Sequence, residues 1–164
     1  MAELNVVAYS QALIAYNEWS NNKILSAAES LLDEQFDRAF GASYESIRGN
    51  LLHILLAQTI WITRINRDRA VPSVPEFRGD IAPAFEVSHY ELHELGLGLT
   101  EDRWRSVLEY TDSRGDDHAL PIGQIIGHVV NHGTYHRGEI ALMLTQLGNS
   151  PGDLDYVYFL LGIR

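Results

Sequence analysis

Apolar residues recur every three to four positions over most of the chain, which is the pattern of amphipathic helices. This spacing predicts a first helix over about residues 5–32. After a break at Gly41, a second helix is predicted over about residues 43–67, with Ser43 as its N-cap. The clearest helical pattern begins at residue 121, a proline suited to a first helical position, and the range 121–148 ends at a glycine. Three long helices are therefore predicted.

The part of the chain between the second and the last long helix is less regular. Prolines and a glycine punctuate residues 72–83, and they predict a surface connection. Over residues 85–110, Gly96 and Gly98 interrupt a weakly helical pattern, and each costs about 1 kcal/mol relative to alanine in a helix. We therefore expect one broken helix or two short ones here, and residues 75–105 are the least certain part of the fold.

Two shorter elements complete the predicted fold. Residues 106–111 and 118–120 flank a turn-forming sequence, which predicts a small hairpin. A short closing helix is predicted over about residues 153–161. Long helices with little strand pattern indicate an all-α fold, an antiparallel four-helix bundle that forms one domain over residues 1–164.

The composition is that of a globular protein, with 46% hydrophobic and 21% charged residues. The net charge of -10 disfavours nucleic acid as a partner. No stretch approaches the roughly 18 apolar residues of a membrane span, and no secretory signal begins the chain, so we expect a cytoplasmic protein with no membrane partner. The absence of cysteine restricts any metal site to histidine and oxygen ligands.

Three of the seven histidines, His128, His132 and His136, are spaced four residues apart on the strongest helix. Each step of four residues turns about 400°, so neighbouring rings lie within about 40° of one face. Two histidines at this spacing can bind one metal ion, as in the His-Glu-x-x-His motif, although Gly133 stands where that motif has its general base. A third ligand must come from another helix, and His53, inside the apolar pattern of the second helix, is the best candidate.

The other histidines have simpler interpretations. His89, His93 and His118 fall in the irregular segments, and we expect them on the surface. Glu86 and His89 match the Glu-x-x-His pair of di-iron bundles, but that architecture needs the motif twice. It also stays open that the histidines of the long helices are core residues that bind no metal.

Several motifs resemble the DinB superfamily over nearly the whole chain, apart from about residues 75–105. They are Tyr16-Asn-Glu-Trp19 with Asn21, Ser46-Ile47, Leu52-His53-Ile54-Leu55, Trp61, Asn131-His-Gly-Thr-Tyr-His-Arg-Gly138 and Leu144-Thr-Gln-Leu-Gly148. The resemblance implies a four-helix bundle, usually a homodimer, with His53, His132 and His136 as ligands of zinc, nickel or a similar divalent ion. By position, His128 is a supporting residue or an alternative ligand. The third helix departs from the family pattern because it looks shortened and broken by glycines.

Characterised members of this superfamily include thiol-dependent transferases and an isomerase. The leading hypothesis is therefore a metal-dependent enzyme, of the thiol S-transferase or hydrolase type, that acts on a small molecule and uses a low-molecular-weight thiol as a candidate cofactor. The alternative is a metal-binding or stress-associated protein without enzymatic activity. Four residues near the ligands are candidates to assist them, and two tryptophans are expected to fill the core. These are Glu139, Arg137, Tyr135 and Gln58, and Trp61 and Trp19.

Overall fold

The computed structural model describes residues 5–66 and 81–163. These residues are mostly helical and include a two-stranded antiparallel sheet. The helices are α1 (Val6–Ala28), α2 (Asp33–Phe36), α3 (Ile47–Ile65), α4 (Ile81–Leu97), α5 (Glu101–Arg105), α6 (Ile122–Gln146) and α7 (Tyr156–Leu160), and the strands are β1 (Val107–Thr111) and β2 (Asp117–Pro121). Within the described ranges, no helix combines the length and the apolarity needed to cross a membrane.

The long helices occupy the predicted segments, with small differences at their ends. The N-cap of α3 is Ser46, whose Oγ accepts a hydrogen bond from the Gly49 N–H at 3.0 Å. The prediction of Ser43 as this cap is wrong, because the chain makes a further tight turn before the helix begins. Pro121 is the N-cap of α6 and not its first helical residue. At the other end of α6, Gly148 has a positive φ of 84°, which is typical of a residue that terminates a helix.

The third long helix, α4, is less interrupted than the sequence predicted. Pro83 lies in its first turn and not in a connection, which is tolerated because the first four N–H groups of a helix have no partner within it. Gly96 continues the helix and does not break it. A Cβ atom at this glycine would lie 2.9 Å from Ile14 Cδ1, so the missing side chain allows α1 and α4 to approach closely. The rest of the predicted connection, residues 72–80, lies outside the described residues.

The predicted hairpin and the predicted closing helix are both present. The hairpin pairs Val107 with Pro121 at one end and Thr111 with Asp117 at the other. Its turn is closed by Asp112, whose Oδ1 accepts hydrogen bonds from two backbone N–H groups. The closing helix α7 has five residues, fewer than predicted.

Two apolar clusters fill the interior between the long helices. The hairpin-side cluster consists of Ile14, Ile62, Ile65, Leu92, Leu95, Leu99, Leu108, Ile122, Ile125, Ile126 and Val129. The turn-side cluster consists of Ile24, Ala28, Ile47, Leu51, Ile54, Ile81, Phe85, Ile140, Met143 and Leu144. Helix α1 packs against α4 and α6, and α3 packs against the same two helices.

The direction of each helix follows from the order in which it passes the clusters. Helices α1 and α6 both run from the hairpin-side cluster to the turn-side cluster, and α3 and α4 run the opposite way. The antiparallel arrangement predicted from the sequence therefore holds for the α1–α4 and α3–α6 contacts. It does not hold for α1–α6 or α3–α4, whose members are parallel.

A buried polar network lies between the two clusters and joins all four long helices. The Arg137 guanidinium on α6 donates to Asn17 Oδ1 and Asn21 Oδ1 on α1, both at 2.9 Å. Asn17 Nδ2 donates to Gln58 Oε1 on α3. The network reaches α4 when Gln58 Nε2 donates to Ser88 Oγ at 2.8 Å. These bonds satisfy groups that would otherwise be costly to bury.

His89 belongs to this network, and its predicted surface position is wrong. Its ring is only 4% exposed. Because Asn21 Oδ1 already accepts from Arg137, Asn21 presents its Nδ2 donor to His89 Nε2 at 3.0 Å. His89 Nε2 must therefore be the acceptor, so the ring is neutral. Burial, assisted by Arg137, lowers the pKa of His89 to about 4. His93 and His118 are exposed, as predicted.

Candidate metal centre

Three histidines from two helices converge at the seam between α3 and α6. They are His53 on α3 and His132 and His136 on α6, the three predicted from the sequence. One ring nitrogen of each lies within 4.8 Å of those of the other two. His53 Nε2 and His132 Nε2 lie 3.0 Å apart, within hydrogen-bond distance. Within the described residues, no fourth histidine, aspartate or glutamate belongs to this group.

The helical register explains the convergence. One helical turn separates His132 from His136, so both rings are on the face of α6 that packs against α3, and their centroids are 4.7 Å apart. His53 enters from the opposite helix, with its ring centroid 4.8 Å from that of His132 and 4.7 Å from that of His136. The three rings are thus mutual neighbours.

The orientation of the His136 ring is determined by hydrogen bonds to its Nδ1. This atom lies 3.0 Å from Asn50 Oδ1 and 3.1 Å from Glu139 Oε2. Asn50 Nδ2 donates to the Ser46 carbonyl, which fixes the amide so that its oxygen faces the histidine. A carbonyl oxygen and an ionised carboxylate can only accept, so Nδ1 carries the proton. In the neutral form of the ring, the lone pair of His136 is therefore on Nε2.

Burial keeps the rings of His53 and His132 neutral at neutral pH. Burial, assisted by the neighbouring His136 and opposed by Glu139, lowers the pKa of His53 to about 4. Burial likewise lowers the pKa of His132 to about 4, together with the nearby imidazoles. Neutral imidazole is the form that binds a metal ion.

A tight turn before α3 covers part of the centre. Gly41 and Glu45 both have positive φ, 76° and 60°, and a backbone bridge joins Ala42 to Glu45. This turn places the Tyr44 ring on His53, stacked with the centroids 3.8 Å apart. It also places Ser43, whose Oγ donates to Glu139 Oε1 at 2.7 Å.

The Glu139 carboxylate is engaged on both sides. Its Oε1 accepts from Ser43 and its Oε2 from His136. Desolvation acts to raise the pKa of Glu139, but the hydrogen bonds from Ser43 and His136 together outweigh it, so the pKa is lowered. A carboxylate with both oxygens bound in this way can hold an imidazole in place. The exposed Tyr135 extends the chain of contacts, because its hydroxyl lies 3.2 Å from Ser43 Oγ.

The three histidines fit a divalent ion. Two nitrogen ligands of one tetrahedral ion, at about 2.0–2.1 Å each, are roughly 3.3 Å apart, close to the 3.0 Å between His53 Nε2 and His132 Nε2. His136 offers Nε2 because its Nδ1 is bonded to acceptors, which is how metal-binding histidines are commonly oriented. His136 is buried and the other two are half-buried, so one side of the group is accessible.

The remaining candidates have separate roles. His128 is exposed and outside the ligand group, with its ring centroid 5.7 Å from that of His132. Arg137 and Gln58, expected to assist the ligands, are 1% exposed and belong to the polar network. Arg137 pairs with asparagines there. Trp61 is half-buried against the hairpin-side cluster, and Trp19 packs on Phe159 of α7.

The sequence interpretation missed three residues that support the centre. Asn50 had a detectable signal, because it is an amide inside the apolar pattern of α3, three residues before His53. The pattern around Ser43 predicted a helix cap, and no sequence pattern pointed to Tyr44. Both side chains reach the centre only because of the turn formed around Gly41 and Glu45. Their contacts with α6 are long-range in sequence.

Two comparisons with known proteins match this chain over almost its full length. The family model described as the DinB family matches residues 4–162. The curated protein named Protein DinB from Bacillus subtilis (strain 168) is 26% identical over 158 residues, which cover 90% of this chain and 91% of that protein.

Proposed function

The chain belongs to the DinB family, and from that premise we propose that it is a metal-dependent enzyme whose divalent ion is bound by His53, His132 and His136. One observation carries this proposal. The three imidazoles come from two helices, and their ring nitrogens lie within 4.8 Å of one another.

The surrounding residues have defined roles in this proposal. Asn50 and Glu139 hold the proton of His136 on Nδ1 and leave Nε2 for the ion. Tyr44 stacks on His53 and shields that side from water. When bound, the ion supplies a positive charge that acidifies a coordinated water or thiol at neutral pH.

The number of ligands favours an enzyme over a purely structural site. Structural zinc sites in proteins are almost always closed by four protein ligands, whereas catalytic sites have three and leave a position for water or substrate. The group found in the described residues has three members and is partly exposed. We propose a transferase or hydrolase reaction on a small molecule, with a low-molecular-weight thiol as the candidate cofactor.

Further aspects of the proposal rest on the family resemblance and on the chemistry of the ligands. We propose that α1, α3, α4 and α6 form the four-helix bundle of the family, and that the protein is a cytoplasmic homodimer. Imidazole ligands suit zinc and nickel, which are the ions we propose. The alternative, a metal-binding protein without activity, shares the ligands but requires no accessible position.

Metal content tests the proposal directly. We expect about one zinc or nickel ion per chain in tag-free wild-type protein, measured by mass spectrometry. The His53→Ala and His136→Ala variants should each lose it, because two remaining ligands from the group bind weakly. His93→Ala is the matched control, since His93 is an exposed histidine of α4. Wild-type protein without metal after incubation with either ion, or variants that retain it, would contradict the proposed site.

A further inference from the structure

A positively charged side chain is fixed on α3 beyond the metal centre, on the side of the hairpin. The Arg64 guanidinium lies over the rings of Trp61 and Tyr110, 4.8 Å from each centroid. Its Nη2 also donates to the Thr111 carbonyl at 3.1 Å. Two aromatic rings and one carbonyl therefore hold a side chain that is usually mobile.

The described residues use little of the hydrogen-bonding capacity of Arg64. A guanidinium has five N–H donors, and within the described ranges one hydrogen bond from the Arg64 guanidinium is found. Within residues 5–66 and 81–163, no carboxylate forms an ion pair with it. By contrast, Arg48 pairs with two aspartates, and Arg105 pairs with Glu101. Arg64 thus presents a fixed charge and a planar fork of donors in a protein of net charge -10.

A continuous row of rings links Arg64 to the candidate metal centre. The Trp61 ring beneath the guanidinium contacts the exposed His128 ring, with centroids 5.6 Å apart. The His128 centroid is in turn 5.7 Å from that of His132. Eleven residues separate His53 from Arg64, which corresponds to about 16 Å along a helix, and long helical side chains lean towards the N-terminus. The guanidinium is therefore roughly 10–16 Å from the centre.

We propose that this row, formed by Arg64, Trp61 and His128, binds an elongated small molecule that carries a carboxylate. The carboxylate pairs with the Arg64 fork, for which bidentate geometry is favourable. The apolar middle of the molecule runs along Trp61 and His128, and its reacting end reaches the three histidines. This inference rests on the proposed function, because it assigns a substrate class to the same site.

The anion position is tested first on metal-free protein. The probes are 3-phenylpropionate and its neutral counterpart 3-phenylpropan-1-ol, and the signals are the Trp61 indole N–H and the Arg64 Nε–H in nuclear magnetic resonance titrations. We expect the acid to bind at least about fivefold more tightly than the alcohol, which corresponds to about 1 kcal/mol for a partly exposed charged pair. Equal affinities would overturn the proposal.

Variants separate recognition from folding. Arg64→Gln should remove the preference for the acid. Arg64→Lys retains the positive charge without the planar guanidinium donors and should reduce the preference for the acid. If Arg64→Gln is poorly folded, the Arg64→Lys variant provides the test. Arg105→Gln is the matched control, because Arg105 also lies over a tryptophan, Trp104, yet pairs with Glu101; it should behave as wild type. A preference that survives in both Arg64 variants would refute the assignment.

A second measurement links the anion position to the metal. Cobalt-loaded protein is titrated with 8-mercaptooctanoate and with 8-mercaptooctan-1-ol, and sulfur-to-cobalt charge-transfer absorption reports the metal end. We expect the acid to bind about fivefold or more tightly, and Arg64→Gln to equalise the pair. Equal binding by wild-type protein would overturn the elongated ligand. No charge transfer with either thiol would contradict the open metal position, while the metal-free titration still decides the anion position.

Discussion

The shared hydrogen bond of His136 leads to a quantitative prediction. Its single Nδ1 proton faces two acceptors at nearly equal distances, Asn50 Oδ1 at 3.0 Å and Glu139 Oε2 at 3.1 Å. Loss of the partner that orients a metal-binding histidine typically weakens metal binding by about 10- to 100-fold. Since either acceptor can replace the other, the Asn50→Ala and Glu139→Ala variants should each lose only about threefold in zinc affinity, or about 0.7 kcal/mol.

The double variant should behave differently. With both acceptors removed, the proton is free to move to Nε2, and the ring is free to rotate. We expect an affinity loss of about 30- to 100-fold, or about 2.0–2.7 kcal/mol, well above the roughly ninefold loss of two independent effects. The Ser46 carbonyl remains bonded in Asn50→Ala, because it also accepts from the residue 50 N–H.

Competition against a chromophoric zinc chelator measures these affinities. Chemical unfolding of each variant without metal provides the control, because Asn50 is fully buried and its truncation lowers stability irrespective of the ion. Nitrogen chemical shifts of His136 report which ring atom carries the proton. Additive losses, or a full loss in one single variant, would refute the idea that the two acceptors substitute for each other.

Two further predictions concern stability. The pKa of His89 is about 4 in the folded protein, against 6.5 for a free histidine in the unfolded chain. Between these pH values the unfolded chain binds more protons than the folded one, so the free energy of unfolding falls as the pH decreases from about 6.5 to 4. This difference in pKa corresponds to at most about 3 kcal/mol of unfolding free energy. In urea titrations of metal-free protein, His89→Gln should therefore lose less stability on acidification than the wild type. An unchanged dependence of stability on pH would contradict this. Gly123→Ala should destabilise by about 1–3 kcal/mol, because its Cβ atom would collide with the Trp104 indole. Gly127→Ala, where a Cβ atom meets open space, should stabilise α6 by about 0.5–1 kcal/mol. Thermal unfolding measures both glycine variants, and stability changes of the same sign in the two would refute the packing argument.

Much of the helical structure and two of the three proposed ligands could be read from local patterns. The apolar spacing located α1, α3 and α6, and the hairpin was visible in its turn sequence. The spacing of His132 and His136 placed both rings on one face, because a helical turn is a property of one element alone. His53 followed from its place within an apolar stripe and from the family resemblance.

Other features depended on which elements meet. The direction of α3 and α4, the partners of His136, the place of Ser43 and Tyr44 at the centre, and the burial of His89 all arise from contacts between segments far apart in the chain. Periodicity shows which face of a helix is apolar, but it does not show the register in which two faces pack. The sequence by itself thus determined the segments of α1, α3 and α6, the hairpin and the histidine pair. The tertiary structure decided which neighbours orient that pair, because hydrogen bonds between elements exist only after packing has aligned them.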